Sequence, residues 1–279
     1  MAGALIIVGT PIGNLGDLSP RARAALATAD LIAAEDTRRT GRLLQALGIA
    51  KRPFLSVHDA NEAARAERVV GEVRAGRRVT LVTDGGMPVV SDPGYRVVVA
   101  VAAAGLAIEV IPGPSAVTAA LAVSGLPSDR WVFEGFVPKK AGERRRRLEA
   151  IRDETRTVVV FESPRRVRAT LAAMAEVMGD RPVALCREMT KLHEEVLRGS
   201  VRELLYALGA DDPKGEVVLV IGGSHGPTVP DDVAALVADA QRLVAGGARP
   251  RDAAKAVATG GTTANAVYRA MVEAAREGD

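Results

Sequence analysis

Three segments of the chain follow short apolar runs and place glycine where side chains would otherwise stand: "GTPIGNLG" from Gly9, "TDGGMPVVSDPG" from Thr83 and "IPGPSA" from Ile111. Loops of this kind offer backbone N–H groups rather than side chains, and glycine lets the backbone approach a ligand closely. In open α/β sheets, ligands settle beyond the carboxyl ends of the strands, where such loops converge. Three of them in one chain point to a nucleoside-like ligand. The spacing fits neither familiar nucleotide motif. Gly9, Gly13 and Gly16 form G-x-x-x-G-x-x-G, not the dinucleotide fingerprint G-x-G-x-x-G, although Glu35 stands near the expected acidic position. "GEVRAGRR" lacks the lysine and hydroxyl of a phosphate-transfer loop, which disfavours nucleoside triphosphates.

A nucleophilic serine is a further chemistry to weigh. "GGSHG", Gly222 to Gly226, fits G-x-S-x-G after a strand-like run. That arrangement requires an acid and then a histidine downstream of Ser224. The other histidines, His58 and His193, both precede it, and His225 is adjacent, so the order fails and the segment reads as a linker.

Composition bounds the rest. Apolar residues make up 48% of 279, enough for two ordinary cores. The longest nearly apolar stretch, Val97 to Ile111, is broken by Gly105 and Glu109 and falls short of the roughly 18 residues of a membrane span. No basic segment precedes an apolar one at the N-terminus, which argues against a secretory signal. A single cysteine, Cys186, excludes an internal disulfide or a cysteine-rich zinc site and suits a reducing cytoplasm. Net charge is +3, but the positive residues are bunched: Arg38, Arg39 and Arg42; Arg77 and Arg78; Lys139, Lys140 and Arg144 to Arg147; Arg165, Arg166 and Arg168. Such clusters suit a polyanion. Aromatic residues are only 3%, so base-stacking platforms are not expected.

The elements that must position these groups read as alternating strands and helices. Ala4 to Gly9 is a strand, and "LSPRARAALATADLI" a helix with Ser19 as N-cap and Pro20 in first position. Strands in "LIAAED", "RPFLSVHD", "RRVTLVTDGG" and "LAIEVIPGPS" alternate with helices in "TRRTGRLLQALG", "NEAARAERVVGEVRAG" and "GYRVVVAVAAAG". This is the pattern of a largely parallel sheet. It restarts at Trp131 with strands in "RTVVVFES", "RPVALCREMT" and "GEVVLVIGG" separated by helices, and beyond Gly226 only helical patterns remain. We therefore expect α/β architecture with three parts: 1–117, 118–226 and a helical extension 227–279. The extension suits packing or an accessory role better than DNA reading.

The motifs "VGTPIGNLGDLSPRA", "AEDTRRTGRLL", "SVHDANE", "LVTDGGMPVVSDPG", "IPGPSA", "GFVPKK", "FESPRR" and "GEVVLVI" occur in an order that resembles the small-subunit ribosomal RNA methyltransferases of the tetrapyrrole methylase superfamily. The resemblance covers about the first 225 residues. It implies two α/β domains of the class III methyltransferase type, with S-adenosylmethionine folded in the cleft between them. The implied activity is 2′-O-methylation of a cytidine near the decoding site by a cytoplasmic homodimer. Carried onto this chain, the resemblance implies cofactor contacts at Pro11, Ile12, Gly13, Asp84, Gly86, Met87, Ser115, Ala116 and Glu162. "TDGG" stands where the superfamily often has "GDP", a departure at residue 85.

Methyl transfer from a sulfonium mainly requires aligning the acceptor hydroxyl, and no metal is needed. A general base would assist, and Glu35, Asp36, His58, Glu62, Glu188 and Lys191 stand near expected strand ends or in these motifs. His58 has Asn61 and Glu62 as partners for a structural role, Glu35 and Asp36 could cap the helix that follows, and Lys191 could meet phosphate instead. For RNA phosphates we expect Arg38, Arg39, Lys139, Lys140, Arg144, Arg145, Arg146, Arg147, Arg165 and Arg166. The partner is small-subunit RNA or the 30S particle, with no membrane and no metal. Two alternatives stay open: a methyltransferase acting on a tetrapyrrole, and a non-catalytic RNA-binding factor. The arginine-rich rims favour a polyphosphate over the first.

Overall fold

The computed structural model describes residues 3–209, 213–224, 233–258 and 262–277. Two compact units divide the chain, one made of 1–149 and 157–222 and the other of 150–156 and 223–279. The first contains both sheets.

Strands β1 (Ala4–Val8), β2 (Leu31–Ala34), β3 (Phe54–Ser56), β4 (Arg78–Val82) and β5 (Ala107–Ile111) form a sheet in the order β3-β2-β4-β1-β5, parallel throughout. The alternation of side chains along β1 assigns its faces. Ala4, Ile6 and Val8 pack with Ala22 and Leu26 of α1 (Pro20–Thr28) and Leu44 of α2 (Thr37–Ala46). Leu5 joins the opposite cluster with Val69 and Val73 of α3 (Glu62–Arg74) and Val97 and Val101 of α4 (Tyr95–Ala103). Burial on both faces explains why β1, β2 and most of β4 are continuous apolar runs. The Ser19 hydroxyl accepts from Ala22 N at 3.1 Å with Pro20 opening α1, as expected from sequence.

The second sheet contains β6 (Trp131–Phe136), β7 (Thr157–Glu162), β8 (Pro182–Arg187), β9 (Glu195–Ser200) and β10 (Val217–Ile221), in the order β6-β7-β10-β8-β9. Only β6 and β7 run parallel; the other pairings are antiparallel. Helix α5 (Ala116–Ser124) packs Val117, Ala120 and Leu121 on this sheet against Val159, Ala184 and Val220. The 117/118 boundary expected from sequence therefore falls just inside α5. Helices α6 (Ala141–Ala150), α7 (Val167–Val177) and α8 (Val201–Ala207) complete the unit, and α8 opens on a reciprocal cap between Ser200 and Glu203. Strand β9 lies outside the strands that the sequence pattern predicts. Cys186 is buried near the end of β8, and that burial pushes its thiol up to about 11.

In the other unit, α9 (Val233–Ala245), α10 (Pro250–Val257) and α11 (Ala264–Glu277) share a core of Val237, Ala240, Ala253, Ala254, Val267 and Met271. His225 and Gly226, the end of the "GGSHG" match, and the expected boundary at 226/227 lie outside the described residues.

Candidate active site

Strands β4, β1 and β5 are neighbours and parallel, so the glycine loops that follow them emerge side by side at one end of the sheet. Backbone pairing locks them together. Thr10 N donates to Gly86 O at 2.9 Å, Gly86 N returns to Thr10 O at 3.0 Å, and Gly9 N donates to Ile111 O at 3.1 Å. Two glycines are required by contact: a Cβ on Gly9 would lie 2.6 Å from Gly113 Cα, and one on Gly113 would lie 2.8 Å from Gly9 C. Side chains at either position would force the loops apart.

These loops form one wall of a cavity of about 590 Å³, contributing Pro11, Ile12, Gly13, Asp84, Gly85, Gly86, Met87, Ser115 and Ala116. The ends of β6 and β7 supply Phe136, Phe161 and Glu162, the segment after β8 supplies Lys191, and the start of β10 supplies Glu216 to Val218. The volume lies in the range of sites for ligands of nucleoside size. Phe136 is 59% exposed and tilts against Phe161 with ring centroids 5.3 Å apart. A chain poor in aromatics thus places one at the mouth of its cavity.

Glu35, at the end of β2, lines the cavity because β2 is the neighbour of β4. Its Oε2 accepts Asp84 N at 3.4 Å, and burial, followed by the Asp84 charge, raises its pKa. Arg39 also lines the cavity and pairs with Asp84 at 3.1 Å. A residue overlooked at the sequence level joins them. Asp92 stands in the same wall, and burial first, then the Glu35 charge, pushes its carboxyl up to about 7 against the pull of the Thr83 hydroxyl. Its loop is strained: Val89 and Ser91 adopt φ of 77° and 62°, positions that cost on the order of 1–3 kcal/mol each for such residues. In sequence "SDPG" reads only as a turn, and nothing local signals the role.

The other expected proton acceptors are placed differently. Asp36 caps α2, accepting Arg38 N at 2.8 Å, and the Arg38 guanidinium holds its carboxyl well below the usual range. His58 is exposed, with Nε2 3.0 Å from Asn61 Nδ2, and does not line the cavity. Glu62 is buried, and its Oε1 accepts Gly94 N at 2.9 Å and Arg96 N at 2.7 Å at the start of α4. Lys191 Nζ sits between Glu188 Oε1 at 2.8 Å and Glu216 Oε2 at 3.1 Å. Burial pulls its pKa down, but the hydrogen bonds and charges of these two carboxylates together outweigh it and leave it raised. A lysine held charged donates hydrogen bonds and does not accept a proton. Glu188, held low by Lys191, and Thr190 adopt φ of 50° and 65°, so the segment presenting Lys191 is strained as well.

Glu162, buried in the cavity wall, is fully engaged: Ser163 N at 2.6 Å, Thr170 Oγ1 at 2.5 Å and Arg166 at 2.6 Å. Arg166 is therefore tied into the wall. Of the remaining cations, Arg38 pairs with Asp36, Lys140 with Glu143, Arg145 with Glu149 and Glu176, and Arg147 with Glu134. Arg144 is half-buried. Lys139, Arg146 and Arg165 are exposed and have no ion-pair partner among the described residues. Arg77 and Arg78 are held by Glu72 and Glu109. Among the described residues no His/Cys/Asp/Glu cluster could hold a metal ion, and no helix is long and apolar enough to cross a membrane.

A family model described as Tetrapyrrole (Corrin/Porphyrin) Methylases matches residues 4–205. A Mycobacterium tuberculosis protein named ribosomal RNA small subunit methyltransferase I is 44% identical over 281 residues, covering 99% of this chain and 97% of its own. A protein of the same name from Thermotoga maritima is 47% identical over 223 residues, 80% of this chain and 100% of its own. Among solved structures, uroporphyrin-III-C-methyltransferase from Thermus thermophilus superposes with a TM-score of 0.55 at 24% identity, covering 79% of this chain and 94% of its own. Diphthine synthase does so with a TM-score of 0.59 at 15% identity, covering 79% and 89%. At these identities the two structures speak to fold alone.

Proposed function

The chain belongs to the tetrapyrrole (corrin/porphyrin) methylase family, and from that premise we propose that it transfers a methyl group from S-adenosylmethionine to a ribose 2′-oxygen of a cytidine in small-subunit ribosomal RNA, near the decoding site. Relatives matched over 80% and 99% of this chain carry a ribosomal RNA name, which favours RNA over a tetrapyrrole as acceptor.

The observation that carries the site is the convergence of three glycine loops on one cavity. The residues present fit the cofactor. Gly13 lines the cavity so tightly that a Cβ there would stand 2.3 Å from Lys191 Cγ, and Glu35 and Asp84 give a negative wall suited to a sulfonium. Pro11 to Gly13, Asp84 to Met87, Ser115 and Ala116 would hold it, with Glu162 bracing the opposite wall. When bound, it supplies a methyl group on a good leaving group. The chain's own task is to orient the acceptor hydroxyl and exclude water. Lys139, Arg146 and Arg165, without an ion-pair partner among the described residues, would meet phosphates first, while Arg38, Lys140, Arg144, Arg145 and Arg147 would have to exchange a partner or leave a half-buried position. Lys191 and Arg39 extend positive charge to the cavity.

We further propose the finer features: a homodimer, a cytoplasmic setting, assembled or partly assembled subunits as better substrates than naked RNA, and a division into 1–117, 118–226 and 227–279. The test of the site is calorimetry of S-adenosylmethionine binding with a chelator present. Wild type should bind without added metal, and Asp84→Ala combined with Ser115→Trp should abolish binding in a folded protein. Unchanged affinity in the double variant, or a strict requirement for a divalent ion, contradicts the proposal.

A further inference from the structure

The loop that follows β4 is held in a conformation its residues do not prefer. Val89 and Ser91 lie in left-handed backbone, and Gly94 closes the loop at φ 129°. Gly94 is crowded: a Cβ there would stand 2.9 Å from Leu81 Cδ2 and 3.2 Å from Val89 Cγ2. The buried Glu62 carboxylate fixes the loop's end by accepting Gly94 N and Arg96 N. Such over-determination places Asp92 in the cavity wall beside Glu35 and Asp84.

We propose that Asp92 accepts the proton of the acceptor ribose hydroxyl, a role that rests on the methyltransferase reading above. The groups facing it come from three strand ends: Glu35 after β2, Asp59 after β3, and Thr83 and Asp84 after β4, with Arg39 of α2 pairing Asp84. The other acidic and basic groups are committed elsewhere. Glu62 holds backbone donors, Asp36 holds Arg38, Lys191 is a cation between two carboxylates, and Glu35 accepts Asp84 N. Burial and the Glu35 charge bring Asp92 to about 7, where a carboxylate takes a proton and returns it to solvent readily at neutral pH.

The balance of the step is simple. The hydroxyl O–H bond breaks and its proton passes to a carboxylate oxygen of Asp92. The oxygen–methyl bond forms as the methyl–sulfur bond breaks, and that bond's electron pair stays on sulfur. One positive sulfonium and one negative carboxylate become a neutral thioether and a neutral carboxylic acid.

Two readouts test the role. In the protein without cofactor or RNA, carbon-13 carboxyl NMR, with Asp92→Asn identifying the resonance, should show a midpoint near 7. A midpoint at the ordinary aspartate value of about 4 overturns the proposal. In single-turnover methylation of undermodified small subunits, Asp92→Asn should slow transfer by roughly 10²–10⁴-fold. Its cofactor affinity by calorimetry should stay within about threefold of wild type, a change of no more than about 0.65 kcal/mol. The wild-type rate should climb with pH, reach half its plateau near 7 and level off above about 8; this arm needs no variant. A flat wild-type profile from pH 5 to 9, or an Asn variant that transfers within about tenfold of wild type, overturns the Asp92 role while the methyltransferase reading stands. Wild type that binds the cofactor yet methylates no small subunit overturns both.

Discussion

Replacing Glu62 by alanine removes the acceptor of two backbone N–H groups, Gly94 at 2.9 Å and Arg96 at 2.7 Å, from a site where the glutamate is 6% exposed. Hydrogen bonds to a charged acceptor contribute about 1.5–3 kcal/mol each, and water entering the space left behind recovers part of that. The loss should therefore be near the lower end of the sum, about 3 kcal/mol. At about 2–4 °C per kcal/mol for a protein of this size, the melting point of the unit should fall by about 6–12 °C. Glu62→Gln keeps an acceptor oxygen and should lose only about 1 kcal/mol. Urea unfolding followed by the fluorescence of Trp131, the single tryptophan, reports on the unit that contains Glu62. If the alanine variant loses under about 0.5 kcal/mol, or the two variants unfold alike, Glu62 is not the clamp described here.

The remaining expectations follow from the same geometry. Because the folded Asp92 pKa of about 7 lies above the ordinary aspartate value of about 4, its contribution to stability is present below the lower value and lost as pH rises through the upper. Stability measured by urea unfolding should therefore fall between those pH values in wild type and be flatter in Asp92→Asn, by on the order of 1–2 kcal/mol after solvent screening; parallel curves refute it. Gly9→Ala should weaken cofactor binding and fold stability together, since its Cβ meets Gly113 backbone at 2.6 Å. Gly71→Ala, in α3 with open space around the new Cβ, should instead raise stability by about 0.5–1 kcal/mol. Arg146→Ala should reduce the slope of log RNA affinity against log salt by about 0.7, and Arg145→Ala by less, because Arg145 must first leave Glu149 and Glu176. Equal slopes for the two would place the RNA surface elsewhere.

The features legible in the sequence are those encoded locally. The glycine loops, the Ser19–Pro20 helix start and the parallel strands of the first sheet each follow from a few neighbouring residues, and three adjacent loops forming one wall follows from strand order. What escaped depends on partners distant in the chain. "EVLRGS" shows no alternation of apolar and polar residues, so β9, an edge strand paired only with β8, gives no periodic signal. "SDPG" looks like a turn because the burial that shifts Asp92 comes from the fold, and Glu35, which adds to it, arrives from 57 positions earlier after another strand. Glu62 stands in a motif that suggested chemistry, yet its partners begin at Gly94. The arginine run reads as one cluster of positive charge, yet Glu134 and Glu176, both outside it, take up Arg147 and Arg145.

The most direct test of the central claim is to incubate the full chain with methyl-labelled S-adenosylmethionine and undermodified small ribosomal subunits, and then to map the label. Label on a single ribose 2′-oxygen of a cytidine in small-subunit RNA, lost with Asp84→Ala combined with Ser115→Trp, is the predicted result. Label on a base, on protein or on a tetrapyrrole offered in the same mixture, with none on ribose, would contradict the account.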